Sequence, residues 1–284
     1  MGVNRNGGIV RIAENCVLDI SDSGEAVLSP DLWHAENVVS PYTRLYFVSE
    51  GEGGYLRDSR GTVKMHPNRI YLIPPMYRFD YGCTGKVRKI FFHINITRAD
   101  GFDIFRDFGM IGFIEDSQKV ADAVRFYREK DVFSALGVKG VIFSTLAEIA
   151  EEYGFGIGDD FGAKYSELTK MMLAYVKEHL SASLTRSEIA SHFGVSENTV
   201  SNYFKREVGM TVRRYVEELV FAEAQKKLAY SSKTIGEISD ELGFCDRFYF
   251  SRRFGQLFFC PPSDFRRKSQ SEYREPQFED DLSV

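Results

Sequence analysis

The chain has 284 residues, 43% hydrophobic and 14% aromatic, enough for two domains with cores of their own. Its formal net charge is 36 − 41 = −5, which taken whole is the wrong sign for a DNA-binding protein. Four scattered cysteines (Cys16, Cys83, Cys245, Cys260) with no C-x-x-C pairing argue against a zinc site or a disulfide framework. No uninterrupted apolar run reaches the roughly 18 residues of a membrane span. Residues Met1 to Gly8 lack the basic-then-apolar pattern of a signal peptide, so a cytoplasmic protein with no membrane partner is expected.

From Ile9 to about Asn95 the chain reads as short strands broken by turns. Leu45–Val48 is closed by Gly51-Glu52-Gly53-Gly54, Ile70–Ile73 by Pro74-Pro75, and Arg88–Ile96 is a third strand with apolar residues spread along it. Such spacing predicts a small β barrel or sandwich. Its histidines include no H-x-H pair, and the positions after Pro75 read Tyr77-Arg78-Phe79. A metal site needs several donors converging on one ion. We therefore expect no metal and no cofactor, and a binding pocket rather than a catalyst. Trp33, Tyr46, Arg78, Tyr81 and His93 are its candidate ligand-binding residues, because they join aromatic faces to polar ends. Each also has a structural reading: core packing for Tyr46 and His93, a surface ion pair for Arg78.

Between Asp116 and Tyr153 the period becomes helical. Val120, Ala123, Val124 and Tyr127 form one apolar face, and Val138, Val141, Ile142, Leu146 and Ile149 form another. Two antiparallel helices over residues 116–153 are predicted, serving dimerisation, packing on the chain's own barrel, or both. Residues 154–163, opening GFGIGDDFG, make a glycine-rich linker, and residues 271–284 an acidic tail.

Residues 164–270 carry two helix-turn-helix units. In the first, Ile189 and Ala190 lie on a short helix that Gly194 closes, and Ser196 caps a second helix bearing Val200, Tyr203 and Phe204 inward. In the second, Ile235, Ile238 and Leu242 precede the Gly243 turn, and Asp246 caps a helix carrying Tyr249, Phe250 and Phe254 inward. A helix from about Thr211 to Ala229 joins them; at 1.5 Å per residue its 19 residues span roughly 28 Å, near one turn of DNA. Residues 164–274 hold 18 Lys+Arg against 14 Asp+Glu, a local +4 that leaves −9 for the remainder. The polar outward positions suit base edges and phosphates: Asn198, Ser201 and Asn202 for bases, Lys205 and Arg206 for phosphates, and Arg247, Phe248, Ser251 and Arg252 on the second reading helix.

These residues resemble the DNA-binding domain of the AraC/XylS family of bacterial transcription regulators. The matching stretches are Gly194-Val195-Ser196, Phe204-Lys205-Arg206, Val208-Gly209-Met210, Ile235-Gly236-Glu237-Ile238, Leu242-Gly243-Phe244, Tyr249 to Phe254 and Pro262 to Arg266. Val220, Ser239 and Phe259 stand where the family commonly has Arg, Ala and Gly; Val220 implies a lost polar contact and Phe259 a different turn before Pro261-Pro262. Tyr46 to Gly53 and Ile70 to Pro75 resemble the cupin-type sensor domain found ahead of many such modules. The resemblance implies an α+β chain: a cupin-like β-barrel over residues 1–115, the helical pair, the linker, and an all-α double helix-turn-helix domain. It further implies a non-enzymatic, sequence-specific activator that binds double-stranded promoter DNA as a homodimer, contacts RNA polymerase, and answers to a small molecule, with a sugar favoured. The alternatives are a metal-dependent cupin enzyme with a fused helical module, and a ligand-independent regulator whose barrel only dimerises.

Overall fold

A computed structural model of the chain describes residues 16–98, 100–156 and 165–272. The linker from residue 157 onward and the tail beyond residue 272 lie outside the described residues. The described chain is α+β and forms two compact units: Asp19–Asn95 with Phe105–Gly156, and Ile96–Ile104 with Ile157–Phe265.

In the first unit the strands are β1 (Leu18–Leu28), β2 (His34–Val38), β3 (Thr43–Gly51), β4 (Gly54–Asp58), β5 (Gly61–Lys64), β6 (Arg69–Ile73), β7 (Phe79–Cys83), β8 (Val87–Ile96) and β9 (Gly112–Glu115). They form a five-stranded sheet, β1-β8-β3-β6-β9, and a four-stranded sheet, β2-β7-β4-β5. The expected barrel is thus, among the described residues, two sheets facing across one core, with no continuous hydrogen-bonded wall closing them. Alternation explains the core. Tyr46, Val48, Tyr71, Ile73 and Val87 project from one sheet to meet Val38, Leu56, Phe79, Tyr81 and Cys83 from the other. The glycine-rich turn after β3 is needed as such: Gly51 has φ +85°, and a Cβ there would lie 2.0 Å from the Lys86 carbonyl oxygen.

Leu45 and Phe47, on the opposite face of β3, are fully buried. That face receives helices α1 (Ser117–Glu129) and α2 (Val132–Glu152), capped by Asp116 and Asp131. Phe92 of β8 meets Phe47 and Tyr127 edge-on. The anticipated apolar faces are only partly used: Val120 and Ala123 are buried, as are Val141, Ile142, Leu146 and Ile149, whereas Val138 is half-buried. No uninterrupted apolar run reaches membrane length, yet α2 is 21 residues long with a mean hydropathy of 1.5 over 18 residues, long and apolar enough by length and composition to cross a membrane.

In the second unit the helices are α3 (Glu167–Glu178), α4 (Arg186–Phe193), α5 (Glu197–Tyr203), α6 (Val212–Tyr230), α7 (Ile235–Glu241), α8 (Arg247–Phe258) and α9 (Pro262–Glu272), with a π-helical turn at Phe204–Val208 after α5. Helix α6 is the axis: Tyr215, Val220, Ala224 and Leu228 along its length are fully buried. Segment Ile96–Ile104 belongs to this unit. Its Asp100 carbonyl accepts a hydrogen bond from the Tyr215 hydroxyl at 2.5 Å, and its Asp100 carboxylate accepts one from Tyr165 at 3.2 Å. Phe102 packs edge-on against the Tyr215 ring. Burial, followed by the charge of Asp100, raises the Tyr215 phenol far above its ordinary range.

Candidate DNA-binding surface and polar heart of the sandwich

Both helix-turn-helix units are assembled by the same local devices. Thr185 and Glu188 form a reciprocal capping box on α4, and Thr234 and Glu237 form another on α7. Gly194 at φ +62° ends α4, and Gly243 at φ +76° turns the chain after α7. Ser196 accepts from the Thr199 amide to cap α5, and Asp246 accepts from the Phe248 and Tyr249 amides to cap α8. Around Gly243 there is no space for a side chain, since a Cβ would lie 1.9 Å from Ser181 Oγ.

The inner faces of the reading helices anchor to α6. Val200 and Phe204 are fully buried, with Phe204 edge-on to Tyr215. Phe250 stacks on Phe221 at 5.9 Å and 3°, and Phe254 and Phe258 continue the same face. Arg253 clamps the second reading helix to α6 through two hydrogen bonds to Glu217, at 2.6 and 2.9 Å. Tyr249, expected inward, is instead 40% exposed, because the core-facing positions of α8 fall at 250, 254 and 258 and leave 249 beside the stripe. Tyr203, Phe193 and Phe244 are half-buried.

The outward faces hold the candidate reading residues. Asn198, Ser201, Asn202 and Lys205 line one recess with Arg186, Glu197 and Thr211. Arg206 turns away from it, pairing with Glu207 at 2.7 Å and lying over the Tyr203 ring at 4.7 Å. On α8, Arg247 and Phe248 are exposed, with the guanidinium 5.1 Å from the ring centroid, and Arg252 is exposed while Ser251 is half-buried. Glu207 is a structural anchor: burial pushes its carboxyl up, but hydrogen bonds from Arg206, Thr169 and Ser166 outweigh this and hold it at about 2. Val220, where a polar contact was expected to be lost, is fully buried and lines a cavity of about 200 Å³ with Phe221, Phe244 and Tyr249.

The sandwich has a polar heart. Trp33 stacks on Tyr81 at 4.5 Å and meets Tyr46 edge-on at 6.5 Å. His93 is buried against the Tyr42 ring at 4.4 Å. Two residues that the sequence reading missed complete the group. The Lys89 ammonium, 3% exposed, sits 3.7 Å from the Tyr46 ring centroid and 4.6 Å from that of Trp33. The buried Arg44 donates to Ser40 Oγ at 2.7 Å and to the Tyr46 hydroxyl at 3.1 Å. Their signal was register: Lys89 lies two residues from Val87 and Arg44 two from Tyr46, so both share the inward face. His93 Nδ1 lies 3.6 Å from Asp22 Oδ2, beyond hydrogen-bonding range. Burial first, then the charges of Arg44 and Lys89, hold the imidazole pKa well below its ordinary value, so it is neutral. Arg78 does not join this group; it is exposed in the turn before β7. Among the described residues no cluster of three or more His, Cys, Asp or Glu groups is placed to hold a metal ion.

Two capped reading helices fixed to one long helix define a double helix-turn-helix domain. A family model described as a helix-turn-helix domain matches residues 189–268, and one described as the helix-turn-helix domain of transposase family ISL3 matches 160–208. Among curated proteins the chain is 26% identical over 131 residues to the transcriptional activator RhaR of Klebsiella pneumoniae, covering 46% of this chain and 47% of that one. It is 23% identical over 132 residues to the Msm operon regulatory protein of Streptococcus mutans, covering 46% and 48%. The chain thus spans about half the length of the curated relatives it matches. Over 87% of its length and 97% of the other chain, it shares the fold of ToxT from Vibrio cholerae, with a TM-score of 0.54 and 12% identity. Residues 189–268 thus carry a helix-turn-helix domain, and the chain is similar in sequence over about half its length to transcription regulators.

Proposed function

We propose that this protein is a sequence-specific transcription activator that works in the cytoplasm, reads promoter DNA with α5 and α8, and responds to a small molecule held in the polar heart of the sandwich. The observation that carries the reading is the pairing of two solvent-facing polar surfaces, one on each reading helix, with a 19-residue helix that fixes their separation. At roughly 28 Å, α6 lets one subunit address successive major grooves. Asn198, Ser201, Asn202, Arg247, Phe248, Ser251 and Arg252 take the base edges, and Lys205 and Arg206 take phosphates. The relatives' printed names, activators and an operon regulator, support the same reading.

The effector site comprises Trp33, Tyr46, Tyr81 and His93 with Arg44 and Lys89. Aromatic faces beside hydrogen-bonding ends suit a sugar, and Arg78, on the surface, serves at most its approach. Two copies pair through α2, whose Val132, Phe133 and Leu136 are 76%, 82% and 62% exposed, a contiguous apolar surface of the kind that marks an interface. Binding of effector shifts the population between arrangements of the dimer that present DNA modules differently, and the activated form contacts RNA polymerase. Binding of the full-length protein to its own upstream DNA, with and without a panel of sugars at one fixed salt concentration, tests this. Specific binding altered by one sugar is expected. Specific binding indifferent to every sugar removes the sugar effector, and an absence of specific binding removes the regulator.

A further inference from the structure

The first reading helix carries a carboxylate where a DNA-facing surface should be cationic. Glu197 is the first residue of α5 and points into the same recess as Asn198, Ser201 and Asn202. Beside duplex phosphates a bare carboxylate is repelled, so its presence requires a reason. Arg186, the first residue of α4, supplies the compensation. Its Nε and Nη2 donate to Glu197 Oε2 at 2.8 and 2.5 Å, while its Nη1 donates to Ser201 Oγ at 2.9 Å. One planar guanidinium therefore spans two positions one helical turn apart on the reading face. The side chains of Arg186 and Glu197 are 47% and 45% exposed, so the pair lies open to an incoming duplex. Its strength as an isolated surface ion pair is small, and stability does not explain it.

Resting on the reading of α5 as a DNA-contacting helix, we propose that Arg186 and Glu197 form one base-reading unit: Glu197 accepts a hydrogen bond from the N4 amino group of a cytosine, and Arg186 neutralises and aims it. The chemistry selects the base. In the major groove cytosine offers a donor, whereas adenine sets its N6 donor beside the N7 acceptor, which repels a carboxylate. The same guanidinium fixes Ser201: with its oxygen accepting from Arg186, its proton is left to donate to an acceptor on a neighbouring base edge. Arg186 is thus a positioning residue, and the base contact is made by Glu197. Because the pair is neutral together, it adds discrimination without adding phosphate attraction.

Selection of binding sites from a randomised duplex library, followed by competition binding at one salt concentration, tests the unit. The wild-type chain is expected to select a motif with one position restricted to cytosine. Glu197→Gln is expected to shift that position to adenine by about tenfold, since a side-chain amide matches the adenine N6 and N7 pair. Arg186→Ala is expected to weaken binding to every duplex about tenfold, and Arg186→Ala with Glu197→Gln to regain affinity while keeping the adenine preference. Thermal unfolding of each variant, unchanged from wild type, separates these effects from misfolding. A cytosine preference that survives Glu197→Gln overturns the proposal while leaving the regulator intact, as does an Arg186→Ala loss confined to a single base position. A wild-type chain that selects no motif overturns the DNA-binding reading itself.

Discussion

Phe259 ends α8 with φ +59° and ψ +16°, the left-handed conformation that glycine adopts without strain. The turn that glycine would have made is therefore kept, and the phenylalanine, 61% exposed, is forced into it. A Cβ in that region costs about 1–2 kcal/mol. Phe259→Gly should raise the stability of the helical unit by about 1 kcal/mol, and a lowered melting temperature would refute the strain. Ser239 presents the opposite case: its hydroxyl is buried and, among the described residues, has no hydrogen-bond partner. Ser239→Ala should stabilise by about 1 kcal/mol, measured by denaturant unfolding, because an unsatisfied buried donor is removed with little change of shape. His93 sets a pH dependence. Burial holds its folded pKa well below the ordinary value, so the unfolded chain takes up a proton near pH 6.5 while the folded one does not. Stability of the sandwich unit should be unaffected by this group above pH 6.5. It should then fall by up to about 1.4 kcal/mol for each pH unit lower, until the folded imidazole itself titrates. Unfolding midpoints of wild type and His93→Gln across pH 5–8 measure it; equal slopes would show that His93 is not the group.

At the scale of elements, what acts locally was legible. Gly194, Ser196, Gly243 and Asp246 do their work through their own backbone or the next three amides, so their residue types named both turns. The Thr185–Glu188 and Thr234–Glu237 boxes were present as the same kind of signal. What depends on register was not legible. Arg44 and Lys89 drew no notice in the sequence because only the pairing of β3 with β8 turns both inward, and Arg78, grouped with the pocket by chemistry alone, sits in the turn before β7. Tyr249 missed the core because helical spacing locates a face only within a residue. Helix α2 shows the consequence of an apolar stripe wider than one partner can cover. Its buried side carries Ile142, Leu146 and Ile149, while Val132, Phe133 and Leu136 remain outside. Phe133→Glu with Leu136→Glu should convert a dimer to a monomer with little change in unfolding temperature, since neither side chain supports the unit's own core. Light scattering decides it; a wild-type monomer at micromolar concentration would remove α2 as the interface.

For the molecule as a whole, charge is partitioned rather than absent. The net −5 combines a +4 reading module with an acidic remainder, so association with DNA should be directed by one surface and depend only moderately on salt. The chain's division into two units also differs from its division into two stretches of sequence. Because Ile96–Ile104 interrupts the sandwich and packs in the helical unit, the backbone leaves the sandwich after Asn95, returns to it after Ile104 and leaves it again after Gly156. A cut after Gly156 would therefore yield no self-sufficient C-terminal fragment. Residues 157–284 alone would leave the Tyr215 hydroxyl without the Asp100 carbonyl and its ring without Phe102. Such a fragment should melt below the helical unit of the intact chain, and a peptide spanning residues 96–104 should bind it and restore part of the difference. Severability, usually the mark of a modular regulator, is here withheld by nine residues borrowed from the other half of the sequence.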